Sequence, residues 1–427
     1  MSKPKRVLII TYYWPPAGGS GVQRWLKFVK YLVHENIEPI VYTAVEESYA
    51  TLDSSLNSDL PDGLEVIRTK VFEPNKFFRA SKKRNAKSEG FLNPNPSRLE
   101  RLVLYVRANY FIPDARKYWI KPSIKHLTKY LKENPVDLII TTGPPHSLHL
   151  VGLALKKKFG TKWISDFRDP WSKIDYFHKL PMTEKSFKKH EKLEEEVVKE
   201  SDAVIVIGKS MQQDFLKFNS NTHVITNGFD VSYEAESNTR LDEKFSIVHI
   251  GMLNSDRNQR MLWEILSELK KERSDFAKDL EIKFIGKACQ EAKDQIKEFQ
   301  LEEDLNDVGY IEHQYIHAHQ QSAQVLLLLV NRVPTAKGVI TGKIFEYLIA
   351  RRPILAIGPE DGDLAEILVK TKAGSIVEYD DKGVLKEQIL KYYEAYKSKN
   401  LRVDSINIEQ YHRKELTKQL KSLIDTL

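Results

Sequence analysis

The sequence is poor in cysteine and contains no long apolar run. Cys289 is the single cysteine among 427 residues, so no disulfide can form within the chain, and a reducing compartment is favoured. The longest purely aliphatic run, 325–330, is far shorter than the roughly 20 residues that cross a bilayer. The apolar stretch after Lys5 and Arg6 is too short for a secretory signal peptide and soon meets a Pro-Pro pair. We therefore expect a cytoplasmic protein.

The composition is that of a folded globular protein, with 41% hydrophobic and 29% charged residues. At roughly 150 residues per domain, this length suggests two or three domains. Residues 1–200 hold 35 lysines and arginines against 23 acidic residues, whereas residues 201–427 hold 31 against 36. Two explanations fit the basic first half equally well at this point: an anionic partner, or a lysine-rich surface that faces only water.

Short apolar runs alternate with amphipathic segments along the whole chain. Such near-continuous Val/Ile/Leu runs are typical of strands buried on both faces of a parallel sheet. The predicted strands are 6–11, 38–43, 64–69, 136–141, 162–165, 203–207, 223–226, 245–250, 281–285, 307–310, 325–330, 354–357 and 375–377. The predicted helices include 21–34, 146–159, 183–199, 257–272, 290–299, 340–350, 363–370, 384–397 and the tail 408–427.

This alternation predicts an α/β protein of two doubly wound, Rossmann-like domains. The polar stretch 232–243 interrupts it, and we place the domains at 1–230 and 231–407, with a C-terminal helix at 408–427 that can pack back on the first domain. The Lys-, Asn- and Pro-rich segment 75–96 is predicted to leave the first domain as an excursion. Since ligands of such sheets bind beyond the carboxyl ends of strands, we expect the site in a cleft between the domains.

A glycine-rich loop follows the first predicted strand and precedes a helix. Gly18, Gly19 and Gly21 would let the backbone approach a ligand, and the helix N-terminus offers free N–H groups to an anion. The third glycine of a dinucleotide fingerprint is missing, so NAD is weakly supported. We favour a phosphate or substrate role over a tight turn without a ligand.

Two further loops of the first half carry polar and aromatic side chains at strand ends. His146 begins a helix, where it could bond a sugar hydroxyl, shuttle a proton, or serve only as a structural hydrogen-bonding group. In the next loop, Asp166, Arg168, Asp169 and Trp171 stand close together. Arg168 could pair with a phosphate or with a neighbouring carboxylate, and Trp171 could stack on a ring.

In the second half, a helix begins after the apolar strand 325–330. Lys343 and Glu346 lie on one face of this helix, behind Thr341 and Gly342. Backbone N–H groups and Lys343 would favour a diphosphate there, and Glu346 could accept hydrogen bonds from ribose hydroxyls. Other strand ends add glycines and cations suited to a nucleotide diphosphate, namely Gly251, Arg257, Arg260 and Gly286.

Taken in order, these loops resemble those of GT-B glycosyltransferases, specifically glycosyltransferase family 4. The resemblance rests on residues 12–19, 142–146, 166–171 and 227–228 in the first half, and on 341–348 with 352–355 in the second. It implies retaining transfer of a sugar from a nucleoside-diphosphate sugar, which is a co-substrate, with no metal and no bound cofactor. Glu346 matches the second glutamate of the family's E-x7-E motif, while Gly338 stands where the first is expected.

The resemblance implies a transferase that builds cell-surface polysaccharide or glycolipid on a glycan or lipid-linked acceptor, with uridine as the expected base. We assign catalysis to His146, Lys343 and Arg257. The basic first domain would face the acceptor, and segments 75–84 and 98–132 could touch an anionic membrane at its inner face. A nucleotide-sugar 2-epimerase and a non-catalytic nucleotide-sugar-binding protein remain alternatives, whereas nucleic acid is not an expected partner.

Overall fold

A computed structural model describes residues 3–49, 51–72, 97–175, 177–230 and 239–427. The predicted excursion at 75–96, with the membrane segment 75–84, and most of the predicted linker at 232–243 lie outside these residues. The chain forms two compact units. The first comprises the residues up to Asn227 together with Arg413–Leu427, and the second comprises Gly228–His412.

The first unit is built on a parallel sheet of seven strands in the order β3-β2-β1-β4-β5-β6-β7. Ile9 of the central strand pairs with Val41 on one side and Ile140 on the other. The strands are β1 (Lys5–Ile10), β2 (Ile37–Ala44), β3 (Glu65–Thr69), β4 (Leu138–Gly143), β5 (Lys162–Phe167), β6 (Ala203–Val206) and β7 (Thr222–Val224). The α-helices are α1 (Ser20–Leu32), α2 (Arg98–Tyr110), α3 (Lys117–Glu133), α4 (Ser147–Phe159), α5 (Glu184–Glu200) and α6 (Lys209–Leu216).

Both faces of this sheet are buried, as the aliphatic runs predict. Leu8 and Ile10 of β1 point into one apolar core, and Val7 and Ile9 point into the other. The second core also receives Leu416, Leu420, Leu423 and Ile424 from the C-terminal helix. That helix, which we number α14 (Arg413–Asp425), therefore packs on the first unit, against α1.

The second unit repeats this plan with a parallel sheet of six strands in the order β10-β9-β8-β11-β12-β13. Its strands are β8 (Phe245–Ile250), β9 (Leu280–Ile285), β10 (Leu305–Gly309), β11 (Val325–Leu329), β12 (Ile354–Ile357) and β13 (Gly374–Val377). Its α-helices are α7 (Arg260–Glu272), α8 (Ser274–Asp279), α9 (Gln290–Glu298), α10 (His313–Ser322), α11 (Lys343–Ala350), α12 (Asp363–Thr371) and α13 (Lys382–Lys397). An apolar core covers each face of the sheet.

The predicted class, α/β with two doubly wound Rossmann-like domains, is confirmed. In each sheet the strand order reverses at one point, between β1 and β4 in the first unit and between β8 and β11 in the second. Loops at the carboxyl ends of these strands border a crevice that commonly binds ligands in such folds. Among the described residues, no helix is both long enough and apolar enough to span a membrane.

Some predicted boundaries were wrong. The helix predicted at 257–272 begins at Arg260, because Asn254 accepts the Arg257 backbone N–H (3.0 Å) and closes a separate turn before the helix. The helix predicted at 340–350 begins at Lys343, directly after Gly342. Strand β4 extends to Gly143, since Thr142 and Gly143 continue to pair with β5. The short 3₁₀ turns are Val33–Glu35, Glu46–Ser48, Ser54–Asp59, Phe177–Lys179, Glu302–Asp304, Ala336–Gly338 and Ile408–Tyr411.

Candidate functional site

In the first unit, the glycine-rich loop after β1 is closely packed at two of its three predicted glycines. Gly18 donates its N–H to the carbonyl of Thr51 (3.0 Å). Gly19 precedes α1 with a φ of +97°, a conformation that glycine adopts without strain. A Cβ atom on Gly21 would lie 3.0 Å from the ring of Tyr13, so Gly21 serves close packing. Only Gly19 has open space where a side chain would be.

Arg168 ties this loop to the two neighbouring strand ends. Its guanidinium donates to the carbonyl of Gly21 (2.7 Å) and to the carbonyl of Pro144. Arg168 is buried, and its Nε lacks a hydrogen-bond partner among the described residues. The arginine therefore holds three loops together, and two of its nitrogen atoms already donate to backbone carbonyls.

Asp166 forms a buried ion pair with Arg24. Arg24 donates to its carboxylate (2.8 Å), as do the indole of Trp25 (2.7 Å) and the hydroxyl of Thr142 (2.8 Å). Arg24 and Asp166 are 1% and 0% exposed. Burial alone would raise the pKa of Asp166, but the Arg24 charge and these hydrogen bonds hold it below its usual range. The predicted placement of Asp166 in a ligand loop does not fit this geometry.

The Arg24 side chain also fixes the last strand end of the first unit. Its Nη1 donates to the carbonyl of Thr226 (2.7 Å) and contacts the side chain of Asn227 (3.4 Å), and the Nη2 that bonds Asp166 also donates to the carbonyl of Ile225 (2.8 Å). The sequence analysis did not single out Arg24. An arginine among the apolar residues of the predicted helix 21–34 was the signal that could have found it.

His146 and Trp171 form a buried stack between α4 and α5. Their rings are parallel, with centroids 5.0 Å apart, and the Trp171 indole donates to His190 Nδ1 (3.0 Å). Trp171 is fully buried, so its ring is not available to stack on a ligand as predicted. Asp169, from the same loop, is exposed.

Neither ring nitrogen of His146 has a hydrogen-bond partner among the described residues. Burial, with the nearby His149, lowers the pKa of His146 well below its usual value, so the ring is neutral at pH 7. The N-terminus of α4 that follows it is already capped, because Asp114 accepts the Ser147 N–H (2.8 Å). His146 can therefore offer a neutral imidazole, but not a readily available proton.

His149 is a buried neighbour that sequence reasoning missed. Its Nδ1 contacts the hydroxyl of Thr141 (2.8 Å), while its Nε2 lacks a partner among the described residues. Burial lowers the pKa of His149 to about 3. A Cβ atom on Gly143 would lie 2.6 Å from the His149 ring and 2.7 Å from the His146 ring. Glycine is required at 143 because these two rings fill the space beside it.

In the second unit, the ends of β8 and β9 and the start of α11 meet. Gly251 has a φ of +96°, and a Cβ atom there would lie 3.0 Å from the Lys343 ammonium nitrogen. A Cβ atom on Gly286 would lie 2.6 Å from the carbonyl oxygen of Gly251. Gly286 therefore makes room for the backbone of Gly251, which in turn makes room for Lys343.

Lys343 is a partly buried cation with no ion pair or hydrogen bond to any described side chain or backbone group. Burial and the charge of Arg257 lower its pKa to about 7, although Glu346 opposes this shift. It is the first residue of α11, where the helix dipole adds positive potential. A cation held without an acidic partner at a helix start is suited to an anionic ligand.

Two hydrogen bonds, to residues at the ends of β8 and β11, hold Arg257 next to Lys343. Its Nε donates to the side chain of Asn331 after β11 (2.7 Å), and it also donates to the carbonyl of Met252 after β8 (3.2 Å). Arg260 does not join this cluster. It forms a two-pronged ion pair with Glu298 and stacks on the ring of Phe299 at 4.7 Å.

Glu346 lies one turn into α11, where Gln320 of α10 donates to its carboxylate (3.0 Å). The Thr341 hydroxyl is buried and lacks a partner among the described residues. Gly342, at the helix start, is exposed, and no atom lies within 4 Å of a Cβ built on it. The start of α11 therefore combines open backbone with unused polar groups.

His249 of β8 is a second histidine that sequence reasoning missed. It is 1% exposed, and neither ring nitrogen has a hydrogen-bond partner among the described residues. Burial lowers its pKa well below the usual value, and the charges of Lys343 and Arg257 add to this effect. A polar residue inside the apolar run 245–250 was the available signal. In the described part of the chain, no three His, Cys, Asp or Glu side chains are grouped to hold a metal ion.

One family model and several solved structures are similar to this chain. Residues 82–233 match the family model of Glycosyltransferase Family 4. No curated protein sequence matches the chain. Among solved structures, sucrose-phosphate synthase from Thermosynechococcus elongatus is 14% identical, with a TM-score of 0.56, over 99% of this chain and 95% of that one.

Two other solved structures extend the comparison. WaaG, a glycosyltransferase involved in lipopolysaccharide biosynthesis, is 13% identical with a TM-score of 0.57, over 98% of this chain and 99% of that one. A Listeria monocytogenes protein described as a UDP-N-acetylglucosamine 2-epimerase is 10% identical with a TM-score of 0.56, over 99% of this chain and 96% of that one. At these identities the likeness establishes the fold. The predicted resemblance to GT-B glycosyltransferases of the family 4 type is thereby confirmed.

Proposed function

We propose that this protein is a retaining glycosyltransferase that moves a sugar from a nucleoside-diphosphate sugar to a glycan or lipid-linked acceptor. The match of residues 82–233 to glycosyltransferase family 4 and the GT-B fold support a transferase that uses nucleotide sugars. Uridine is the proposed base, and cell-surface polysaccharide or glycolipid assembly is the proposed role. We place the protein in the cytoplasm, and the proposed reaction uses neither a metal nor a bound cofactor.

The observation that carries this proposal is the unpaired Lys343 at the start of α11. When the donor bond breaks, negative charge grows on the leaving diphosphate while the sugar becomes cation-like. The negative charge on the diphosphate would be stabilised, as its bond to the sugar breaks, by the Lys343 ammonium, the neighbouring Arg257 and the N–H groups at the start of α11. Open backbone at Gly342 gives a phosphate access to these donors.

Glu346 is proposed to accept hydrogen bonds from the ribose hydroxyls, with Gln320 holding its carboxylate in place. His146 is proposed to hydrogen-bond a sugar hydroxyl as a neutral imidazole, since both its ring nitrogens lack partners in the described structure. Its lowered pKa argues against the proton-shuttle role considered from the sequence.

Two specific observations favour other functions. The fold is shared with a nucleotide-sugar 2-epimerase, which would act on the donor alone. Gly338 lies in the short 3₁₀ turn 336–338, where the family motif calls for glutamate, and this favours a protein that binds the donor without turnover. Both alternatives predict the same nucleotide site and differ only in products.

The experiment that separates these functions incubates the protein with UDP-, GDP- and ADP-sugars, with and without a bacterial lipid extract. Acceptor-dependent release of one nucleoside diphosphate supports the transferase. A new isomeric nucleotide-sugar without sustained release supports the epimerase, and binding without either product supports the binding protein.

Variants then test the site itself. Lys343→Ala should lower turnover by about 100-fold or more, the usual cost of losing one group that stabilises developing charge. Lys337→Ala is the matched control, because that lysine is exposed and pairs with Asp361 on the surface. Equal turnover of the two variants would remove Lys343 from the active site.

A further inference from the structure

Lys343 differs from other shielded lysines of the chain in having no acidic partner. The side chain of Lys283 is 9% exposed, and its ammonium pairs with Asp242 at 2.7 Å. That of Lys270 is 26% exposed, and its ammonium pairs with Asp304 at 2.6 Å. Lys343 is also only partly exposed, yet no described residue forms an ion pair or a hydrogen bond with its amine. A shielded lysine without a counter-charge readily gives up its proton and becomes a nucleophile.

Three titratable groups of the second unit set the charge of this amine. Burial and the Arg257 guanidinium lower the pKa of Lys343 to about 7, while the Glu346 carboxylate opposes this shift. Burial and the charges of Lys343 and Arg257 hold the pKa of the third group, His249, well below its usual value, so its ring is neutral. A large fraction of the Lys343 amines therefore carries no proton at pH 7 and has a free electron pair.

The surroundings of this amine suit a phosphate group. The Arg257 guanidinium keeps its charge when Lys343 is unprotonated, and its hydrogen bonds to Asn331 and to the carbonyl of Met252 fix its position. The start of α11 adds the positive end of a helix dipole, and Gly342 there is exposed, with no atom within 4 Å of an added Cβ. We call this place, formed by Arg257, Lys343 and the start of α11, the anion site.

We propose that Lys343 is acylated by small acyl phosphates, a class that includes acetyl phosphate, and that this modification closes the anion site. The neutral amine attacks the acyl carbon and forms an amide bond, while the bond from that carbon to the phosphate oxygen breaks. The displaced proton of the amine leaves on the inorganic phosphate, so the step needs no further reactant. Acyl phosphates suit this site because one group, the phosphate, is both the part that the cation binds and the part that leaves.

Closure of the anion site rests on the proposed function, in which a nucleoside diphosphate binds there. Acylation replaces the Lys343 ammonium by a neutral amide that cannot regain a proton, so one of the two side-chain cations is lost. The added acyl group also needs room beside Gly251, where a Cβ atom would already lie 3.0 Å from the amine nitrogen. We therefore expect the acetylated protein to bind UDP about 10-fold more weakly, or worse.

The first test compares the reaction rates of individual lysines in the full-length protein. The protein is incubated with acetyl phosphate at pH 7, and quantitative mass spectrometry of its peptides follows acetylation at each lysine. We expect Lys343 to react about 10-fold faster or more than exposed Lys271, and than Lys337, which is exposed and pairs with Asp361. With acetic anhydride, an acyl donor without a phosphate, this advantage should shrink by about 5-fold or more. A Lys343 that reacts no faster than these lysines, or that keeps the same advantage with both donors, would overturn the proposal.

Arg257→Gln tests whether the anion site captures the phosphate. This variant should acetylate Lys343 with acetyl phosphate about 10-fold more slowly or less, because the phosphate loses its permanent cation. Each rate is divided by the rate with acetic anhydride, which removes any change in the pKa of the amine. Arg260→Gln is the matched control, since Arg260 is held by Glu298 and does not join the anion site. Equal rate ratios in the two variants would contradict capture of the phosphate by Arg257.

UDP titrations test closure of the site separately from acylation, and circular dichroism verifies that each protein is folded. Treatment with acetyl phosphate should weaken UDP binding to the wild type. Identically treated Lys343→Arg, which keeps its charge and has no amine to acylate, should keep the affinity that it had before treatment. Equal losses in the two proteins would assign the effect to other lysines and overturn closure. A wild type that fails to bind UDP before treatment would contradict the proposed function and closure with it, whereas the acetylation rates, measured without nucleotide, decide acylation by themselves.

Discussion

The ammonium group of Lys343 occupies the space that a side chain at Gly251 would need. A Cβ atom there would lie 2.8 Å from Lys343 Cε and 3.0 Å from Nζ. Gly251 also has a φ of +96°, a conformation that strains other residues. The strand-end glycine and the helix-start lysine therefore depend on each other, and the proposed diphosphate site depends on both.

Gly251→Ala should displace Lys343 and weaken UDP binding about 10-fold or more. Gly309→Ala is the matched control, because Gly309 also has a positive φ (+75°), but no atom lies within 4 Å of its added Cβ. Both variants place an alanine at a positive φ, which costs about 1–2 kcal/mol in the left-handed region, and only Gly251→Ala adds crowding. Titration calorimetry measures the affinities. If both variants bind UDP equally well, the crowding argument is wrong.

Binding of an intact UDP-sugar should take up a proton above pH 7. The pKa of Lys343 is lowered to about 7, so part of the population is uncharged at neutral pH. An anionic ligand favours the charged form and raises this pKa, and affinity should therefore fall as pH rises from 7 to 9. Titration calorimetry in two buffers with different ionisation enthalpies measures how many protons the protein takes up when the UDP-sugar binds.

Lys343→Arg supplies the control for this linkage, because a guanidinium stays charged throughout that range. We expect its affinity to be nearly independent of pH and its binding to take up no proton. Equal proton uptake by Lys343→Arg and the wild type would assign the titration to another group.

Much of the fold could be predicted because its signals are local. The aliphatic runs of β1 and β11 identify buried parallel strands by themselves. The predicted starts of helices were less accurate than the predicted strands. Whether a turn or a helix follows Asn254 depends on one side-chain hydrogen bond, which periodicity does not contain.

The candidate site was harder to predict because its decisive contacts join distant parts of the chain. Asp166 and Arg168 suggested a local pair, yet Asp166 pairs with Arg24, 142 residues earlier. Trp171 suggested a ligand-stacking ring from its loop position, but His146 and His190 bury it. By contrast, Lys343 and Glu346 are placed by helical spacing alone, and the structure keeps both of them, partly buried, in the first turn of α11.

Removing one partner of the Arg24–Asp166 pair should destabilise the first unit severely. Asp166→Asn leaves a buried guanidinium without its counter-charge, which costs about 3–5 kcal/mol in comparable buried pairs. Asp62→Asn, at an exposed position of the same unit, should change stability by less than about 0.5 kcal/mol. Urea unfolding followed by tryptophan fluorescence reports chiefly on this unit, which holds five of the six tryptophans. A loss below about 1 kcal/mol would contradict the view that Arg24 depends on Asp166 for its counter-charge.

The first unit should also lose stability as pH falls below 6.5. Burial lowers the pKa of His190 to about 4 and that of His149 to about 3, and lowers that of His146 well below its usual value. Between about pH 4 and 6.5 these histidines therefore bind more protons in the unfolded chain than in the folded unit, so their contribution to stability falls as the pH falls. Each such histidine contributes up to about 1.4 kcal/mol per pH unit.

His190→Gln should make this pH dependence shallower while keeping an acceptor for the Trp171 indole N–H, which now bonds His190 Nδ1 at 3.0 Å. His34→Gln, at an exposed position of the same unit, is the control and should leave the slope unchanged. Urea unfolding at pH 7, 6 and 5 provides the slopes. If His190→Gln keeps the wild-type slope, the acid sensitivity does not come from the buried stack, and protonation of surface groups must account for it.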